Sequence, residues 1–251
     1  MAVAAQGLQR VEHVMGMAIL VDVRDRHVDS TVVDRAFDWI RFVDETFSTY
    51  KPESEICRLD RGELALVDAH PDELEVLGRC EELRQETGGY FDARAAGPLD
   101  PSGLVKGWSV DRAAGILEDA GAQNFAIYAG GDIVVRGKPL PDERWLVGIR
   151  HPHIPDQVAA VLEARDLAIA TSGAYARGEH VLDPHSGRPP EGLLSVTIVG
   201  PVLATADAYA TAAFAMGAAR GPGWAAQLDG YEAMAILDDD TVLTTAGFPT
   251  T

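Results

Sequence analysis

The stretch most suggestive of chemistry is "TADAYAT", residues 205 to 211, where Asp207 and Thr211 stand four residues apart in otherwise small, apolar sequence. At i and i+4 both oxygens project from one face of a helix. A carboxylate and a hydroxyl so placed supply two hard oxygen ligands to Mg²⁺ or Ca²⁺. A plain helix start uses the same residues: Thr205 as N-cap, Asp207 favoured by the dipole, and Thr211 bonded back to a carbonyl. The small neighbours Ala204, Ala206, Ala208 and Ala210 would let backbone approach an ion closely.

Other segments carry polar groups at turns. "GEHVLDPHSGRPP" sets His180 beside a short strand, and a histidine there serves as a general base or as a hydrogen-bonded structural residue. Asp183 before Pro184 is a turn initiator. "LDPSGLVKGWSVDRA" is a glycine-containing loop feeding a helix with Lys106 at its entry, which reads as a phosphate or ion site or as a simple junction. It lacks the GxxxxGK[ST] spacing of a Walker A loop. In "YAGGDIVVRG" the two glycines suit a tight hairpin, and equally a place where a flat ligand lies against backbone. Tyr50, in "STYKPESEICRLD", either stacks on a ring or plugs the core.

The elements that must position these groups follow from periodicity. "MGMAILVDVRD" alternates as a strand, and Val33, Phe37, Ile40, Phe42 and Phe47 recur near helical spacing behind Asp29 and Ser30. Residues 71 to 86 form an amphipathic helix opened by proline and acids, and residues 104 to 120 another. Short strands follow at "NFAIYA", "DIVVRG", "WLVGIR", "AAVLEA", "LAIATSG" and "LLSVTIVG", then the Asp207 helix, then a closing hairpin of "YEAMAILDD" and "TVLTTAGF". Strands in runs broken by single helices predict an α+β fold with mixed or antiparallel sheets, as one compact domain over residues 1–251.

Composition narrows the partners. Of 251 residues 39 are acidic and 21 basic, a net charge of −18, so nucleic acid and anionic membrane surfaces are repelled. A phosphate-bearing ligand must then be met by a cation or by backbone N–H groups. Cys57 and Cys80 have neither CxxC nor Cys/His spacing, which argues against a disulfide framework or a zinc site. The first residues carry no basic start, apolar run or lipid-attachment cysteine, so the expectation is a cytoplasmic protein without a membrane anchor.

Taken in order, the segments "VMGMAI", "FSTYKPESEICRL", "TGGYFDA", "LDPSGLVKGWSVD", "AGGDI", "TSGAYARGEHVLDPHSGRP", "SVTIVGP" and "TADAYAT" resemble the flavin transferases of the ApbE family over residues 14 to 217. Members of that family move FMN from FAD onto a hydroxyl of a target protein. The resemblance implies an ApbE-like fold and Mg²⁺ held by Asp207, Thr211 and the carbonyl of Gly103. It implies FAD contacts at Met15, Tyr50, Tyr90, Phe91, Asp92, Asp100 and Lys106, with Val181 and Leu182 near the ligand, and His180 as the base. The partners so implied are FAD and a flavoprotein with an acceptor Thr or Ser, with AMP released. The same site with water as acceptor gives an FAD pyrophosphatase yielding FMN and AMP, and without catalysis an FAD-binding protein. Three departures stand out: the segment Ala93 to Leu99 is short, Pro101-Ser102-Gly103 replaces a Gly-Gly pair, and Trp108 replaces a tyrosine.

Overall fold

Alternating apolar residues build an eight-stranded antiparallel sheet at the centre of the computed structural model, which describes residues 7–154, 156–173 and 181–251. In sheet order its strands are β1 (Leu8–Val14), β2 (Met17–Val23), β3 (Phe125–Ala129), β4 (Asp132–Arg136), β7 (Leu167–Gly173), β8 (Leu193–Gly200), β9 (Glu232–Leu237) and β10 (Val242–Thr244). Strands β5 (Trp145–Arg150) and β6 (Val158–Ala164) form a separate hairpin. The antiparallel α+β arrangement is the one the strand runs predicted, and the closing hairpin is β9–β10.

The period of two sorts the core into two layers. Phe125, Ile127, Val134, Ala168, Ala170, Val196, Ile198, Ala233 and Ala235 point to the helical face. Their neighbours Ala126, Ile133, Val135, Ile169, Val199, Met234 and Ile236 point to the other, where Trp145, Val147, Ile149 and Leu162 of the β5–β6 hairpin cover them. Both faces are thus buried.

The helices are α1 (Ser30–Phe47), α2 (Glu55–Asp60), α3 (Pro71–Glu86), α4 (Ser102–Asp119), α5 (Leu203–Ala215) and α6 (Gly217–Ala225). Asp29 caps α1 by accepting from the Thr31 N–H at 2.8 Å, as its residue type predicted. Helix α5 packs on β7, β8 and α4. Its start corrects one expectation: Thr205 is not the N-cap, because the helix begins at Leu203 after Val202 with no side-chain cap of its own. Asp111 of α4 supplies the cap instead, accepting from the N–H groups of Leu203 at 3.1 Å and Ala204 at 2.8 Å. The alanines Ala206, Ala208 and Ala210 are fully buried and pack in the core. Among the described residues no helix is long and apolar enough to cross a membrane.

Candidate functional site

Two helices and one strand end bring the polar groups together. Helix α4 crosses α5 with backbone nearly touching backbone at Gly107, where an added Cβ would stand 2.7 Å from the Leu203 carbonyl oxygen and 2.8 Å from Ala204 Cα. That approach lets the Gly107 N–H donate to Asp207 Oδ2 at 3.2 Å. Gly107 lies four residues after Gly103, so its N–H is the one a regular α-helix would offer to the Gly103 carbonyl. Gly103 itself packs beside Thr211, its missing Cβ 3.5 Å from Thr211 Oγ1. From β7, Ser172 Oγ lies 3.3 Å from the same Thr211 oxygen.

These groups open into a cleft of about 270 Å³. Gly103, Asp207 and Thr211 line it together with Lys106, Asp92 and Asp100, and so do Val181, Leu182, Tyr50, Tyr90 and Phe91. Met15 lies instead in an adjoining recess, with Thr49, Tyr50, Ser102 and Lys106 bordering both. It sits at φ +56° in the two-residue turn Met15-Gly16 between β1 and β2, a conformation that favours glycine or asparagine. His180 lies outside the described residues.

The aromatics divide into two kinds. Tyr50 is 94% exposed, so the core-plug reading is wrong and its ring is free to stack. Tyr90 and Phe91 are buried walls. His185 packs edge-on against the Tyr90 ring at 4.5 Å, and Arg220 donates to the Tyr90 hydroxyl at 2.7 Å. The short segment after Asp92 still forms a wall, through Ala93, Ala95 and Ala96. It is held by the Asp100 N–H to the Ala93 carbonyl at 2.7 Å and the Leu99 N–H to Asp60 at 3.0 Å.

Electrostatically the floor is a cluster of three. Lys106 Nζ lies 2.7 Å from Asp132 Oδ2 and 3.4 Å from Asp207 Oδ1. Asp207 is only 2% exposed, and burial raises its carboxyl above the usual carboxylate range; Lys106 pulls it back and Asp132 adds to the rise. Asp132, fully buried at the start of β4, escapes a reading of site residues from sequence because an acid after Gly-Gly looks like a turn residue. The signal was its place ahead of the apolar run Ile133–Val135. Among the described residues no three His, Cys, Asp or Glu side chains converge as a metal cage. What the site offers is carboxylate, hydroxyl and backbone oxygen, a donor set suited to a hard cation.

Comparison with known proteins gives these groups a family. The sequence pattern of the ApbE family matches residues 15–99 and 93–235. A "FAD:protein FMN transferase" of Vibrio cholerae is 35% identical over 133 residues, 49% of this chain and 40% of that protein. One of Treponema pallidum is 32% identical over 173 residues, 62% of this chain and 48% of that protein. The matches therefore span less than half the length of these relatives. Among solved structures, the ApbE protein of Thermotoga maritima superposes with a TM-score of 0.86 at 19% identity, covering 96% of this chain and 97% of the other. Flavin transferase ApbE of Vibrio cholerae does so with a TM-score of 0.83 at 23% identity, covering 97% and 98%. With the sequence pattern matched from Met15 into β9 and the fold shared over nearly the whole length, the chain belongs to the ApbE family.

Proposed function

We propose that this chain is a Mg²⁺-dependent FAD:protein FMN transferase, which joins FMN from FAD by a phosphoester bond to a Thr or Ser of a target flavoprotein and releases AMP. The observation that carries this reading is the meeting of Asp207, Thr211 and Gly103 in one cleft with Tyr50, Asp92, Asp100 and Lys106. The names of the Vibrio cholerae and Treponema pallidum relatives agree with it.

Asp207, Thr211 and the Gly103 carbonyl would hold the metal, and their oxygen chemistry fits Mg²⁺. When bound, Mg²⁺ offsets the pyrophosphate charge that an acidic protein otherwise repels and stabilises charge on the departing AMP. Tyr50 stacks on a ring of FAD. His180 takes the proton from the acceptor hydroxyl as that oxygen bonds to the FMN-side phosphorus. The bond from this phosphorus to the bridging oxygen breaks, and AMP leaves with the electron pair. Such a transfer relies mainly on positioning and charge stabilisation, which suits a site with few reactive side chains.

The test is incubation with FAD, Mg²⁺ and a candidate acceptor flavoprotein, followed by in-gel flavin fluorescence and AMP quantification. A covalently fluorescent acceptor that disappears with Asp207→Ala and with His180→Ala supports the transferase. Free FMN and AMP without an acceptor would point to hydrolysis, and FAD binding without turnover to a storage protein.

A further inference from the structure

We infer that Asp132 is a positioning residue: it holds the Lys106 ammonium on the sheet, so that the Asp207 carboxylate stays open to a divalent cation. The inference rests on the proposed role of Asp207 in holding Mg²⁺.

The distances are unequal in the required sense. Lys106 Nζ forms ion pairs with both carboxylates, the tighter at 2.7 Å from Asp132 Oδ2 and the longer at 3.4 Å from Asp207 Oδ1. Asp132 cannot follow the lysine toward Asp207. Its carboxylate is fully buried, and Oδ1 accepts from the Thr171 N–H of β7 at 3.2 Å. Its backbone is fixed by the Gly130-Gly131 turn, at φ +58° and +105°, and by pairing of β4 with both β3 and β7. Asp132 is not among the residues lining the cleft, so it acts through Lys106.

The charge count gives the consequence. Two carboxylates share one ammonium, leaving a formal charge of about −1 beneath the cleft, which a divalent cation can answer. With Asp132 neutral, Lys106 would shift toward Asp207 and tighten the 3.4 Å ion pair already there. The cation would then have to displace that ammonium before binding.

Asp132→Asn tests this, because the amide keeps the shape and the acceptor for the Thr171 N–H while removing the charge. Mg²⁺ affinity, measured by calorimetry on the FAD-saturated protein, should fall about tenfold, the size of effect typical of a residue that orients a metal ligand from behind. In a Lys106→Met background the same substitution should cost no more than about twofold, since no ammonium remains to be misplaced. Circular dichroism and thermal melting of all variants report folding separately. If the unaltered protein binds no Mg²⁺, the proposed function fails at its root. If it binds Mg²⁺ and Asp132→Asn binds equally well, the positioning role is overturned. An equal loss in both backgrounds overturns it as well, because Asp132 would then act without Lys106.

Discussion

The Gly107 N–H donates to the buried Asp207 carboxylate at 3.2 Å, and Gly107 is also the point where α4 has no room for a side chain against α5. One glycine therefore fixes both the helix crossing and the orientation of the carboxylate. Gly107→Ala would push its Cβ to 2.7 Å from the Leu203 carbonyl oxygen, a backbone atom that cannot swing away. The expected cost is about 1–3 kcal/mol in urea unfolding, with weaker Mg²⁺ binding. Gly115→Ala in the same helix has nothing within 4 Å of its new Cβ. It should instead stabilise by roughly 0.5–1 kcal/mol, and equal losses at the two glycines would contradict the crossing argument.

Asp111 secures the other side of that crossing. Its carboxylate receives the Leu203 and Ala204 N–H groups, which have no partner inside α5. Asp111→Ala should cost about 0.5–2 kcal/mol in chemical denaturation, and Asp111→Asn less, because the amide keeps one acceptor oxygen. If the alanine variant unfolds at the same midpoint as the unaltered protein, the cap contributes nothing.

What could be read from the sequence, and what could not, follows from how locally each feature is determined. The long helices and the Gly130-Gly131 hairpin were legible because periodicity and turn chemistry act within a few residues. Strand β1 was not, because its pattern is inverted: Arg10 and Glu12 turn inward to pair with Asp34 and Arg41 of α1, while Val11 is exposed. Helix α2 has six residues, too few to show a period, although Ser54 caps it. Helix α6 carries Gly221 and Pro222, poor helix formers, and forms where Gly221 closes on the Ala213 carbonyl, leaving no room for a Cβ. At the site, the i, i+4 spacing of Asp207 and Thr211 was visible. The roles of Asp111 and Asp132 were not, because each acts on a group more than twenty residues away in sequence, brought near only by the helix crossing or the strand pairing.

Tyr50 separates binding from stability. Its side chain borders the cleft yet is 94% exposed, so removing it leaves no cavity. Tyr50→Ala should unfold within about 0.5 kcal/mol of the unaltered protein. Its affinity for FAD, read by flavin fluorescence, should drop by on the order of 1–3 kcal/mol if the ring stacks, and Tyr50→Phe should restore it. A phenylalanine variant as weak as the alanine variant would assign the effect to the hydroxyl.

Glu73 makes a prediction in pH. It is fully buried in the first turn of α3, and neither carboxyl oxygen has a hydrogen-bond partner among the described residues. Burial, with Glu55 and Asp72 adding to it, raises its pKa from 4.5 to about 8. Between these values the folded protein keeps a proton that the unfolded chain has lost, so this residue makes stability fall as pH rises from 4.5 to about 8, and no further beyond. Glu73→Gln cannot ionise and escapes that loss. Near pH 4 the two proteins should be about equally stable, and by about pH 9 the variant should lead by on the order of 1–3 kcal/mol. Urea unfolding across this range measures the gap. A gap that does not widen with pH would mean that the Glu73 carboxyl titrates alike in the folded and unfolded chains.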